Sequence, residues 1–240
     1  LRGDLTVRLR PYEISNAQMT TDMTPDNGDD VLGQAGIKIW VDGSPWIGNI
    51  DLSFPYLDTD ATRTIGVTPG SCGCANYTRE QLSEIVAAYF PRGWQMACHV
   101  RGDAGVDTLI VDGLFGPEHG ERWMPCGSAV ATGMRISLHN DPPVTPEEPL
   151  RNISVAATRI APSGRVLGPE ERLTVEQAIR AQTIDAAYQL FSDVVIGSLE
   201  VGKYADMVVL SADPRAVPPE QIADLEVQRT YLAGLQVYPK

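Results

Sequence analysis

Apolar and polar residues alternate over 5–10, with Leu5, Val7 and Leu9 set against Thr6, Arg8 and Arg10; this predicts a strand that Pro11 closes. Residues 14–35 are polar and read as loop with at most a helical turn. The run 36–41 is β-branched and aromatic, predicts the next strand, and is followed by the turn chemistry of Asp42, Gly43, Ser44 and Pro45. From 46 to 76 no period is sustained, which predicts a long loop of the kind used as a lid or binding segment. Thr78 with Gln81 three residues on predicts a capped helix start, and Leu82, Ile85, Val86 and Tyr89 supply its apolar face. Pro91, Arg92 and Gly93 stop that helix and a strand runs to His99. Short helical pieces broken by Pro125 and Gly127 are expected over 118–132, a strand over 135–141, and a helical segment from Pro146 onward. Residues 174–191 predict one continuous helix, with a Thr174/Gln177 capping box and a stripe of Val175, Ala178, Ile179, Thr183, Ala186 and Leu190. A turn at 197–203, a strand at 205–210 and one or two strands around Gly234 complete the chain. Helix and strand alternate as in a parallel α/β sheet, and the tail reads as a small β appendage.

Composition narrows the partners. The chain has 240 residues, enough for one large domain or one domain plus a small one, and its 43% hydrophobic and 21% charged residues are those of an ordinary globular protein. A formal net charge of -12 with 19 scattered basic residues excludes a phosphate-backbone binder and disfavours anionic membranes. No apolar run approaches the roughly 20 residues of a membrane span, and the first residues do not read as a signal peptide. The expectation is a soluble, cytoplasmic protein acting on a small molecule, with a homodimer allowed. Cys72, Cys74, Cys98 and Cys126 read as free thiols, since Cys72 and Cys74 flank a single glycine. The sequon-like triplets at Asn76 and Asn152 and the two Arg-Gly-Asp triplets read as chance matches.

Three strand-like runs carry the candidate chemistry. One ends on Asp141, pinned by Pro142 and Pro143; one ends on His99; one carries Lys38 between Ile37 and Ile39. In parallel α/β proteins, polar groups at the C-terminal ends of strands sit where ligands bind. Histidine and aspartate are ligands that zinc accepts. Each has a plainer reading: a satisfied structural histidine, a turn-forming aspartate before proline, a lysine whose tip reaches solvent. A lysine flanked by two isoleucines is expected to be buried, which is costly unless it is paired or modified. Trp46, Phe54, Tyr56 and Tyr77 either wall a pocket or pack the long loop down.

The segment 36–44, then His99 with Gly102, Asp103 and Ala104, then 140–144, then the tail 197–210 resemble, in that order, the amidohydrolase superfamily of metal-dependent hydrolases. The branch they resemble includes N-substituted formamide deformylases. The resemblance implies a (β/α)8 TIM-like barrel beside a small β-sandwich made from both chain ends. It implies Lys38 at the end of strand four, often carboxylated so that its carbamate bridges two metals, His99 ending strand five as a ligand, and Asp141 ending strand eight as both ligand and catalytic acid and base. One or two divalent ions, zinc first, are the implied cofactors. Small residues usually precede the strand-eight aspartate in the family, where His139 and Asn140 stand here. His139, two residues from Asp141, shares its strand face and is a candidate substrate-binding residue with Trp46, or a packing residue.

A full barrel needs about 250 residues at roughly 30 per βα unit. His99 and Asp141 lie too close in sequence to enclose two such units, and the chain opens on what resembles strand three. The barrel is therefore expected to be incompletely represented over 1–195, with a segment missing near 109–110, and 196–240 to be the β-sandwich portion. The expected function is metal-dependent hydrolysis of an amide or formamide-like C–N bond. The alternatives are a catalytically incompetent fragment or scaffold of the same fold, and a ligand-binding module that uses the 46–76 loop.

Overall fold

The computed structural model describes residues 7–15, 19–22, 24–25, 28–40, 43–44, 50, 52, 54–73, 76–99, 116, 118, 121, 124–140, 146–161 and 164–239. The chain divides into two compact units, Leu1–Arg101 with Thr108–Gly120, and Gly102–Asp107 with Glu121–Lys240.

The first unit is built on an open parallel sheet of β1 (Tyr12–Ile14), β2 (Gly36–Trp40) and β3 (Gln95–His99), in that order. β1 lies beyond Pro11. Of the strand expected over 5–10, residues 5 and 6 lie outside the described residues, and the described residues 7–10 pair through one parallel bridge between Leu9 and Leu32. β2 pairs on both sides, Ile14 with Lys38 and Lys38 with Ala97. Its alternation is the parallel-sheet pattern of one dry face: Ile37 and Ile39 are fully buried among Ile85, Tyr89 and Trp94. Those last residues come from α2 (Arg79–Tyr89) and the strand entry that follows. Thr78 caps α2 as expected, its hydroxyl accepting from the Gln81 N–H at 3.3 Å while the Gln81 side chain accepts from the Thr78 N–H at 2.8 Å. A short 3-10 turn over Phe90–Arg92 and Gly93 at φ +80° end the helix and send the chain into β3.

The described part of the segment 46–76 is more ordered than its lack of period suggested. It holds α1 (Asp60–Thr64), capped by Thr59. Its arms fold back on each other through Leu52 N–H to Cys72 O at 2.9 Å and Tyr56 N–H to Ser71 O at 2.8 Å. Gly73, at φ +74°, lets the two arms touch: a Cβ there would stand 1.9 Å from Ile50 O.

The second unit packs α3 (Cys126–Ala131), α4 (Pro149–Thr158), α5 (Val175–Ala181) and α6 (Ile184–Gln189) with a tail sheet. Its core joins Ile153 of α4, Leu173, Ala178 of α5 and Ile222 of a 3-10 turn over Pro219–Asp224. The helix expected over 174–191 is two helices. α5 closes at Gln182, and Thr183 leaves helical geometry at φ −129°, ψ −99° with its hydroxyl turned back to Ile179 O at 2.8 Å. The tail is an antiparallel sheet of β4 (Met207–Leu210), β5 (Val227–Leu232) and β6 (Leu235–Tyr238), with the hairpin at Gly234 where expected. In the preceding turn Lys203 Nζ donates to Ser198 Oγ, which donates to Glu200, each at 2.6 Å. The Ser198 hydroxyl and then the Lys203 ammonium hold the Glu200 carboxyl below its usual range. No helix among the described residues is long and apolar enough to cross a membrane.

Candidate metal centre

β2 and β3 place two of the expected ligands. In the parallel ladder Lys38 faces Ala97 and Trp40 faces His99, so His99 stands at the C-terminal end of β3, two positions beyond the partner of Lys38. Lys38 is the third of five residues in β2, so that strand continues to Trp40. The expectation of a lysine buried on both sides is corrected. Its isoleucine neighbours occupy the dry face against α2, and Lys38 is half-buried on the opposite face, with Nζ 5.3 Å from the centre of the Trp40 ring. Alternation along the strand separates lysine from isoleucine, which sequence adjacency alone had merged.

The same face carries a polar row that sequence reasoning missed. Tyr12, Gly36 and Gln95 are register partners across the three strands, and Tyr12 Oη donates to Gln95 Oε1 at 3.3 Å. The tyrosine ring lies over Gly36, where a Cβ would meet Tyr12 Cε1 at 2.7 Å and Gln95 O at 2.3 Å. Burial pushes the Tyr12 phenol up to about 12. A glycine opening a strand was the one signal that could have shown it.

Asp141 lies outside the described residues, as does Trp46. The run that leads to Asp141 is described, and it is no strand in this structure: residues 135–140 form no ladder. Side chains and helix ends hold it instead. The Arg135 guanidinium sits 4.2 Å from the Tyr188 ring centre and 3.9 Å from both Asp185 and Asp193. Ser137 Oγ donates to Gln189 Oε1. Leu138 N–H donates to Ala181 O at 3.4 Å, meeting one of the carbonyls a helix leaves open at its C-terminus, and Gln182 Nε2 donates to Leu138 O at 2.9 Å. Asn140 and Asn152 exchange two amide hydrogen bonds, 2.9 and 2.8 Å. His139 is exposed, which removes the packing reading. Asn152, one of the sequon-like positions, is thus an engaged helix residue. Of the four loop aromatics, Tyr56 is buried at 2% and Tyr77 packs on the β2–α2 core, so these two anchor their segment.

The donors suit a hard or borderline divalent cation: a carbamate oxygen if Lys38 is carboxylated, an imidazole nitrogen and a carboxylate oxygen. The placement of Lys38 fits as well, since its half-buried face is spared the packing of α2 and borders the His99 position. Among the described residues no three His, Cys, Asp or Glu side chains gather in a way that could hold a metal.

Comparison with known proteins gives these features a frame. The family model described as the amidohydrolase family matches residues 109–238. The chain is 31% identical over 172 residues to N-substituted formamide deformylase of Arthrobacter pascens, covering 67% of this chain and 31% of that protein. It is 27% identical over 260 positions to Protein LONG AFTER FAR-RED 3 of Arabidopsis thaliana, covering 85% of this chain and 43% of that one. The chain thus spans between about a third and under half of the length of these curated relatives. Among solved structures, an uncharacterized metal-dependent hydrolase from Pyrococcus horikoshii OT3 superposes with a TM-score of 0.69 at 20% identity, over 90% of this chain and 53% of that chain. A second, from Pyrococcus furiosus, gives 0.66 at 20% identity, over 89% and 52%. These two likenesses show a mixed α/β fold shared in part with metal-dependent hydrolases, here with the parallel sheet open among the described residues. With its family model matched over more than half its length, the chain belongs to the amidohydrolase family.

Proposed function

We propose that this chain is part of a metal-dependent amidohydrolase that cleaves a C–N bond in a small amide or formamide-like substrate. The observation that carries the reading is the β2–β3 register, with Lys38 at the middle of β2 and His99 two positions beyond its partner, at the C-terminal end of the adjacent parallel strand β3. The family membership and the deformylase relative support it. Lys38 as a carbamate, His99 and Asp141 would hold one or two divalent ions, zinc first, which would supply Lewis-acid polarisation of a scissile carbonyl and a more acidic water. Asp141 takes the proton from the attacking water and returns it to the departing nitrogen, acting as base and then acid. Trp46 and His139 are the candidate substrate-binding residues.

In this reading residues 1–195 are a partial (β/α)8 barrel and 196–240 a β-sandwich portion, with a segment absent near 109–110. A second reading is a catalytically incompetent fragment or scaffold of the same fold. Metal analysis joined to hydrolysis of a panel of N-substituted formamides separates the two. Bound zinc with turnover, both lost in Lys38→Ala and Asp141→Asn, supports the enzyme; a protein free of metal and inert supports the scaffold.

A further inference from the structure

The second unit holds an open recess of about 280 Å³, just under the roughly 300–1,000 Å³ of small-molecule pockets. Its walls have two characters. Val130 of α3 and Ile136 line one side and pack against the core of Ile153, Leu173, Ala178 and Ile222, so that side is apolar and fixed; the exposed Met134 lines it beside them. The other side is cationic. Arg135 and Arg180 line it with Asp185 and Gln177, and Arg135 Nε at 3.9 Å and Arg180 Nη2 at 3.1 Å converge on one atom, Asp185 Oδ1. Asp193, 3.9 Å from Arg135 Nη1, does not line the recess, so two guanidiniums stand there with a single carboxylate.

Most donors on these groups have no partner among the described residues. A guanidinium carries five N–H donors in a fixed plane. The Arg135 plane is fixed by the Tyr188 ring, 4.2 Å away at its centre, while its contacts with Asp185 and Asp193 are too long for hydrogen bonds. Arg180 donates one N–H, to Asp185. Gln177 Oε1 accepts from the Thr174 N–H at 2.8 Å, which pins the amide and leaves Nε2 over as a further donor. Both arginine side chains are about half exposed, and ion pairs at such positions contribute little to folding. Stability therefore does not account for bringing two arginines to one carboxylate. A planar carboxylate matches the guanidinium fork with two parallel hydrogen bonds. We propose that this recess binds a small monocarboxylate with a short aliphatic tail, its carboxylate held by Arg135 and Arg180 and its tail laid against Val130, Met134 and Ile136. The described lining lies within the second unit and is independent of the Lys38–His99 register.

The test uses the full chain with isotope-labelled methionine methyl groups and hexanoate as the probe, against hexanamide, acetate and inorganic phosphate. The Met134 methyl resonance, identified with Met134→Leu, reports occupancy of the recess. Hexanoate is expected to shift it saturably in the millimolar range. Hexanamide lacks the charge-assisted bonds and acetate the buried methylenes, so each should bind at least about tenfold more weakly, and phosphate, without a tail, likewise. Arg135→Gln and Arg180→Gln should each weaken hexanoate by about tenfold or more. Arg180, bonded only to Asp185, is the substitution that least disturbs the fold and decides the matter if Arg135→Gln is unstable. Hexanamide binding as well as hexanoate would reduce the recess to an apolar dent, and phosphate binding as well would reduce it to an unselective cationic patch. Either result, an Arg180→Gln affinity equal to wild type, or an unmoved Met134 resonance would overturn the inference.

Discussion

β2 and the run 135–140 are similar in sequence, short apolar stretches that carry or lead to a charged residue, and they end up as different objects. β2 has a strand on either side, so its amides enter ladders and its isoleucines meet α2. Residues 135–140 have no ladder and are held by Arg135, Ser137, Asn140 and the end of α5. A strand is a property of its neighbours as much as of its residues. A run that lacks them keeps its place only through side chains.

The largest expected effect tests the dry side of β2. Trp94→Ala removes a 2%-exposed indole from the core shared by Ile37 and Ile39, and should cost about 3–5 kcal/mol in denaturant unfolding. A loss below about 1 kcal/mol would mean that the ladder, and not this core, holds the strand. On the other side of the comparison, Asn140→Ala leaves a partly buried Asn152 amide without its partner, for an expected loss of about 1–3 kcal/mol. Should that variant unfold like wild type, the side-chain mooring of 135–140 is unimportant. Thr78→Ala removes the cap of α2 and should cost about 1 kcal/mol, with Thr174→Ala giving a similar loss at α5. The smallest effect concerns pH. The Tyr12 phenol is raised by burial to about 12 from an ordinary value of 10.0, so the unfolded chain loses this proton first. Its contribution is intact below pH 10 and falls away as pH rises toward 12. Melting temperatures measured across that window should decline less steeply for Tyr12→Phe than for wild type.

What the sequence made legible was local. The α2 cap, the glycine stop after it, β2, β3 and the Gly234 hairpin each depend on residues within a few positions of one another. What it hid depended on distant partners. The period of 174–191 continues past Thr183, yet the helix divides there, and Gln182 turns to Leu138 O, a partner 44 residues away. The strand expected over 135–141 had the right residues and no paired neighbour. Lys38 was placed on the correct strand but read by adjacency, so its separation from the isoleucine face emerged only with the register. The Asn140–Asn152 pair left no trace, because Asn152 sits on α4 and Asn140 on the run before it, and no single helix or strand period joins the two.

The central claim is that Lys38, His99 and Asp141 form one metal-binding set, and metal content per chain tests it most directly. The account predicts about one or two equivalents of zinc in the protein as purified, as in mono- and two-metal hydrolase sites, falling to near zero in Lys38→Ala and in Asp141→Asn. Zinc content unchanged in both variants would contradict it.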